Sequence, residues 1–527
     1  MITFRSLPNL VAELGPVGSS LVSLSNSPTS RAVVGIFAER TAITFAEIES
    51  TSRLELYRCE DGGLILPHIP GPFALFCLDS LQLATESDAQ ATSEEILVLL
   101  KQHRLHERPA VALVSGEHSH ISRLLEFAGT PFVCLSPAET LELLLAHPPR
   151  GSLVRRILKK TPISLLNPYV YRGPIGKTLF FGRRNQLTTL SRLQTSYALI
   201  GPRAIGKTSL LNRAYESLLD QGYLAVRVTC SASMGDYDLA YQLLDGFVRR
   251  HGADPKLLVR VSPQRVQRLI QDYVLRGTPR RVAVLLDEAD LLVDHCPEVA
   301  AVFRQCHNNG WARFVFAGFT KLSKAVNDRR NSMLANFPLE LPLSGLTLEE
   351  CGALIMEPML GLGIQFANVD EVVRTIFAES GGSPSRIQLL CHFIVERLDG
   401  SRPRIVGREQ ALNAVRDPDV RSFLNEWFFE STTPTSRWLA ALASVYLPCS
   451  QEALVEAAVR GFHEITAFEV KEEIQNLIIA NIIAYQFSGK VDFTFPAMRD
   501  IARPAGTAAE TMVELRRMAR EHRRARI

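Results

Sequence analysis

Paired cysteines are absent from this chain. Nine cysteines are scattered along 527 residues, none in a Cys-x-x-Cys pair and none at zinc-ligand spacing from a histidine. That pattern leaves no disulfide framework and no zinc site, and it predicts buried thiols in a reducing cytosol. Long apolar stretches are missing as well. No run approaches the ~18 residues of a membrane span. The N-terminus shows no basic segment leading into an apolar stretch, so no secretory signal is expected and the protein is assigned to the cytoplasm. A net charge of +3 gives no global basic field for nucleic acid, so any basic surface must be local. Repeats and low-complexity tracts are lacking. The first 145 residues hold no Ser-His-Asp, Cys-His, His-Glu-x-x-His or Asp…Glu-x-Lys arrangement, and no catalytic centre is expected there.

What is present suits folded domains: 46% apolar and 8% aromatic residues, in a chain long enough for three or four domains of ~150 residues. Residues 1–145 read as a small α/β domain. "LELYRC-EDGG-LILPHI" (54–69) predicts a hairpin around an Asp-Gly-Gly turn. "PFALFCLDS", "PAVALVSG" and "TPFVCLS" predict strands, separated by the amphipathic "SEEILVLLKQH" and "ISRLLEFAG". That rhythm predicts a mainly parallel sheet. Asp79 and Ser115 end two of these strands, and Asp79 is read as a strand cap. Residues 146–178, with Pro148-Pro149-Arg150-Gly151 and the basic "RRILKK" run, are expected to be a linker.

One phrase occurs nearly twice, as "GPIGKT" (Gly173–Thr178) and "GPRAIGKTS" (Gly201–Ser209). Only the second has the full spacing, with four residues between Gly201 and Gly206, then Lys207 and Thr208. It also follows a plausible strand, "SYALI", and opens an amphipathic helix. Such a loop wraps an anion with backbone N–H groups at a helix N-terminus. Its binding residues are expected to be Gly201, Pro202, Arg203, Ala204, Ile205, Gly206, Lys207, Thr208 and Ser209. Lys207 would neutralise the β- and γ-phosphates and the Thr208 hydroxyl would ligate magnesium. The first copy is two residues short and is read as a connecting loop, so one site is expected. "RRVAVLLDEAD" (280–290) predicts a buried strand ending in Asp287, to hold magnesium, and Glu288, to orient and deprotonate the attacking water. Asp290 is assigned no chemistry. Thr320, after the strand "ARFVFAG", is either a γ-phosphate sensor or a loop cap. Arg329 and Arg330 either act across a subunit interface or form a solvated face.

"NPYVYRGPIGKTLFFGRRNQL" (167–187) resembles the segment that opens the nucleotide-binding module of bacterial AAA-like ATPases of the STAND class. The likeness continues through "NSMLANFPLELPLSGLTLEECGALI" and "SGGSPSRIQLLCHFIV" and covers roughly 167 to 500. It implies that Phe180-Phe181-Gly182-Arg183 folds over the adenine, with Phe181, Gly182 and Arg183 binding. It also implies that Pro384 packs near the base, with Gly382 allowing the turn. Two departures stand out. Arg184 and Gln186 occupy positions where the class often has glutamate, and Arg386 is out of register with the lid's arginine sensor. The N-terminal domain resembles a response-regulator receiver in outline. Ser136 stands where that pattern has lysine, which implies a pseudo-receiver without phosphoryl chemistry, if not another small α/β fold.

The expected fold is therefore α/β: a P-loop NTPase core of the AAA-like or STAND kind (179–338), a helical lid (339–430), a winged helix (431–505) and a basic C-terminal helix (506–527). From residue 501 onward seven arginines face three glutamates. ATP and Mg2+ are the expected cofactors. One expected function is a slowly hydrolysing nucleotide switch, with a homo-oligomer and a protein partner for the N-terminal domain as possible assemblies. The alternative is an ATPase that holds duplex DNA through the winged helix and the Arg-rich tail. In either case Lys207→Ala should abolish nucleotide binding, while Glu288→Gln should keep binding and trap ATP. Equilibrium binding and single-turnover assays check both; two variants that bind and turn over ATP like wild type would refute the site.

Overall fold

A computed structural model describes residues 34–503 except 36, 39–40, 60–72, 79–84, 106–109, 115–120, 122, 125–131, 174, 176, 276–280, 329–331, 402, 462–465 and 487; beyond 503 it describes 510, 513, 516 and 517. Asp79, Ser115, the Asp-Gly-Gly turn, Arg329, Arg330 and most of the Arg-rich tail thus lie outside the described residues.

The N-terminal unit runs β1 (Ala46–Ser50), β2 (Leu54–Cys59), β3 (Phe73–Leu78), α1 (Glu86–Gln102), β4 (Ala110–Val114), β5 (Phe132–Leu135) and α2 (Pro137–Leu145). Its sheet has the order β1-β2-β3-β4-β5. β1, β2 and β3 pair antiparallel, while β3, β4 and β5 pair parallel. The expected parallel sheet therefore holds for its second half only. A receiver-type sheet is parallel throughout with order 2-1-3-4-5, and this in-line order departs from it. For the first pair the cause is local: only three residues, Thr51–Arg53, join β1 to β2, and a connection so short can join only antiparallel neighbours. β3 and β4 are buried along their whole length, as expected of strands covered on both faces.

The expected linker is partly a helix, α3 (Pro149–Lys160). Leu153 and Ile157, four apart on one face, are fully buried. The basic run is paired with acidic residues: Arg156 meets Glu142 at 2.8 Å and Lys160 meets Glu139 at 2.8 Å. Beyond α3 the chain becomes a strap along the helical region. The Ile163 N–H and the Ser164 hydroxyl donate to Asp399, and the buried Tyr169 hydroxyl donates to the Ile355 carbonyl at 2.9 Å.

The central unit begins with α4 (Arg184–Arg192) and β6 (Tyr197–Ile200), followed by α5 (Lys207–Asp220), β7 (Leu224–Thr229), α6 (Asp236–His251) and α7 (Pro263–Leu275). Then come β8 (Val282–Asp287), α8 (Asp290–His295), α9 (Pro297–Asn308), β9 (Ala312–Gly318), α10 (Thr320–Asn327) and β10 (Leu339–Pro342). The sheet order is β10-β6-β9-β8-β7, parallel throughout. β6 and β7 follow each other in sequence but are separated by β9 and β8. The chain therefore reverses direction across the sheet, and ligands of such folds bind at the strand ends beside that reversal.

Next come α11 (Leu348–Gly361), β11 (Gln365–Phe366), α12 (Val369–Ser380), α13 (Pro384–Arg397), β12 (Ile405–Val406), α14 (Arg408–Val415) and α15 (Pro418–Ser431). The described chain closes with α16 (Pro434–Tyr446), α17 (Gln451–Gly461), α18 (Ala467–Ile479), an antiparallel pair β13 (Ile483–Tyr485) and β14 (Val491–Phe493), and α19 (Pro496–Ala502). The turn into α13 needs Gly382: its φ is +70°, and a Cβ there would sit 2.7 Å from the Leu346 carbonyl oxygen. One apolar cluster joins the N-terminal sheet, α3, the helical region and the C-terminal unit, through residues such as Val111, Ile157, Ile394 and Trp438. Among the described residues no helix is long and apolar enough to cross a membrane.

If α3 is docked rather than a tether, Ile157→Ala should cost about 2–4 kcal/mol in the unfolding of the N-terminal unit by denaturant. A linker side chain would change it by less than about 0.5 kcal/mol.

Candidate functional site

β6 ends at Ile200, and the chain turns through Gly201–Gly206 into α5. Close packing demands the first glycine, since a Cβ on Gly201 would meet the Leu343 carbonyl oxygen at 2.8 Å. Left-handed backbone at Ala204 and Gly206 (φ +60° and +95°) rolls the loop around the helix start. No side chain caps that start, so the first N–H groups of α5 remain available to an anion.

Lys207, the first residue of α5, is 9% exposed. Its Nζ donates to the Gly201 and Pro202 carbonyl oxygens at 2.7 and 2.8 Å. Burial pushes its pKa down to about 8, against the pull of nearby Glu288, Asp290 and Asp287. Arg183 braces the loop from behind. Its buried guanidinium donates to the Ser344 carbonyl at 2.5 Å and more weakly to that of Ile205 at 3.4 Å. Its backbone N–H donates to Glu350 at 2.9 Å. Gly182 permits this, because a Cβ there would fall 2.5 Å from the Glu350 side chain.

The acidic side of the site comes from β8. Asp287 is its buried last residue, and its Oδ1 accepts the Glu288 N–H at 3.1 Å. Arg227 on the adjacent strand reaches its Oδ2 at 3.4 Å. Glu288 itself has φ +52°, a left-handed conformation that costs a non-glycine residue about 1–2 kcal/mol. Asp290 has a clear structural task. Its carboxylate accepts the N–H groups of Phe319, Lys321 and Leu322 at 2.5, 2.9 and 3.0 Å. It therefore ties the turn after β8 to the start of α10, where Thr320 lies.

These elements surround a cavity of about 530 Å³, within the range of small-molecule sites. Of the residues expected from the sequence, Arg203, Ala204, Gly206, Lys207, Thr208, Ser209, Glu288 and Pro384 line it. Gly201, Pro202, Ile205 and Asp287 stand behind that lining; Phe181, Gly182 and Arg183 also lie off it. The opposite wall was not anticipated. It consists of the strap (Val170, Tyr171, Arg172, Gly173, Ile175), Ser385 and Gln388 of α13, and Phe423, Glu426, Trp427 and Glu430 of α15. The shortened "GPIGKT" copy thus helps to enclose the one site. The spacing of 423, 426, 427 and 430 does mark one face of a helix, but nothing local says what that face covers. The Val170 N–H donates to Gln388 Oε1 at 3.2 Å, and Tyr171 meets Phe423 edge to face at 5.5 Å.

Among the described residues no cluster of three histidine, cysteine, aspartate or glutamate side chains could hold a metal alone. A single buried carboxylate and the Thr208 hydroxyl suit a magnesium ion that keeps waters and shares phosphate oxygens. The donor set fits.

A parallel sheet in this order, a glycine loop between a buried strand and a helix, and an acidic pair at the end of a nearby strand define a P-loop nucleotide-binding fold. Residues 191–326 match the family model described as an AAA domain, and this segment is an AAA-type P-loop ATPase domain. No curated protein matches the chain. Similar solved structures include the Walker-type ATPase PABY2304 of Pyrococcus abyssi, with 14% identity over 63% of this chain and 99% of that one and a TM-score of 0.48. The Aeropyrum pernix ORC2 protein has 13% identity over 63% and 94%, with a TM-score of 0.42. The Thermotoga maritima RuvB Holliday junction branch migration motor has 16% identity over 64% and 99%, with a TM-score of 0.33. At such scores these likenesses carry no functional weight.

Removing the Asp290 carboxylate would leave three backbone donors without their charged acceptor. Asp290→Ala should destabilise the central unit by about 2–4 kcal/mol, read from denaturant unfolding; a change within about 0.5 kcal/mol would show that the tie is dispensable.

Proposed function

We propose that the chain is an ATP-operated switch of the STAND kind, hydrolysing slowly and changing the packing of its lid and C-terminal unit with the nucleotide held. The observation that carries this reading is that the phosphate loop, Glu288, the strap and two helices of the lid line one cavity. Whatever fills it touches both the ATPase core and the lid, which is what a nucleotide needs in order to favour one packing over another.

In this reading the amides of the Gly201–Gly206 turn receive the β- and γ-phosphates, and Lys207 exchanges its two carbonyl partners for phosphate oxygens. Thr208 and Asp287 hold magnesium, which when bound supplies positive charge to the phosphate oxygens. Glu288 accepts the proton of the attacking water. Gln388 and Val170, with Tyr171, Phe423 and Pro384 beside them, bound the base end of the site.

The C-terminal unit has the element order of a winged helix, but α18 is poorly suited to a DNA groove. It carries Glu469, Glu472 and Glu473 against Lys471, and a helix of that sign repels phosphates. Glu472 is also engaged by Lys324 of α10 at 2.5 Å. This favours a unit that contacts its own ATPase core over one that reads duplex. ATP turnover by the purified chain should therefore be slow and indifferent to duplex DNA at low and moderate salt. Strong stimulation by DNA, lost on deleting residues 511–527, would overturn the switch in favour of a DNA-dependent ATPase.

A further inference from the structure

The cavity that this reading assigns to a polyanion has carboxylates in its wall. Besides Glu288, two come from the lid: Glu426 and Glu430, on the same face of α15 as Phe423 and Trp427. Neither is without a counter-charge. Arg172 of the strap meets Glu426 at 3.0 Å, and Arg203 of the phosphate loop meets Glu430 at 3.3 Å. The contact is more than two ion pairs. The Trp427 indole N–H reaches the Arg203 carbonyl at 3.5 Å, and Arg172 lies 5.7 Å over the Phe423 ring.

We propose that α15 is an electrostatic latch on the nucleotide site: Glu426 and Glu430 occupy Arg172 and Arg203, and a bound polyphosphate must take those arginines from them. The proposal rests on the nucleotide-switch reading above. Its physical logic is competition. All four side chains are more than half exposed, so each pair is a weak, screened contact. A phosphate offers arginine more charge and a geometry suited to paired hydrogen bonds. Once Arg203 turns to phosphate, Glu430 is left facing an anion across the same cavity. Its own charge then pushes α15 away from the loop. The latch thereby lowers nucleotide affinity and converts binding into displacement of the lid, since the ligand must do work against it.

The test is equilibrium binding of a fluorescent ATP analogue, displaced by ATP and by ADP in the presence of magnesium. It compares wild type with Glu426→Gln, Glu430→Gln and the double variant. These near-isosteric changes at exposed positions keep the side-chain volume and remove the charge. Glu456→Gln, whose partner Arg460 lies on α17 itself, serves as the surface control. The double variant should bind ATP roughly five-fold more tightly than wild type, each single variant less so, and the control like wild type. Affinity that is unchanged or weaker in the double variant, with wild type binding normally, overturns the latch alone. An absence of binding by every protein overturns the switch reading and the latch with it.

Discussion

Lys207 is the constraint on which the rest of the site depends. It is a cation buried at the positive end of a helix, held by the Gly201 and Pro202 carbonyl oxygens with the Phe319 ring 5.9 Å away. Desolvation and the helix dipole both act against its charge, while three carboxylates nearby act for it. Such a group gains when an anion enters, because phosphate brings a counter-charge into direct contact, which the more distant carboxylates do not. The neighbouring geometry follows from keeping Lys207 there. Gly201 lets the loop pass beneath Leu343, Gly206 turns the chain into α5, and Arg183 grips the loop carbonyl from behind.

The acidic side answers the same constraint with strain. Glu288 is held in left-handed backbone, and what holds it is the hydrogen bonding on both sides. Its N–H bonds Asp287, the Ala289 N–H bonds Ala317 at 2.8 Å, and Asp290 clasps the start of α10. The three charge-assisted bonds at Asp290, together worth about 2–4 kcal/mol, outweigh the cost of one unfavourable φ. The strain of a displayed carboxylate is thus offset one turn beyond it. Asp290 fixes the turn that carries Glu288.

How much of this was legible in the chain depended on how local the cause was. The phosphate loop, the Asp287 strand and the succession of strands in the central sheet are each written within a dozen residues, and periodicity and glycine spacing reveal them. The Asp290 clasp was illegible because its partners lie about thirty residues away. The strap wall was hidden for the same reason: Tyr171 and Phe423 meet across some 250 residues, and only the packed fold joins them. Two stretches have structural roles that their local sequence does not show. "RRILKK" read as part of a linker because its pairing partners, Glu139 and Glu142, lie on another helix. Gly182-Arg183, expected at the nucleotide, also has a packing role: Glu350 demands the small residue, and the carbonyls of Ser344 and Ile205 accept from the guanidinium.

The wall formed by α15 also explains how one end of the chain comes to depend on the other. Trp427 touches the phosphate loop on one side and Arg386 on the other, with the Arg386 guanidinium 4.8 Å from the indole and 4.1 Å from the Phe495 ring. Arg386 is almost wholly buried, and among the described residues its Nε and Nη1 have no hydrogen-bond partner. Burial pushes its pKa down, to a value that still leaves it charged at neutral pH. Each of the two rings returns about 2 kcal/mol at a desolvated site, against the several that hiding the charge costs. The seam between the helical region and the C-terminal unit is therefore held jointly by this stacking and by the apolar packing around it, and a displacement of α15 reaches the C-terminal unit through Trp427 and Arg386.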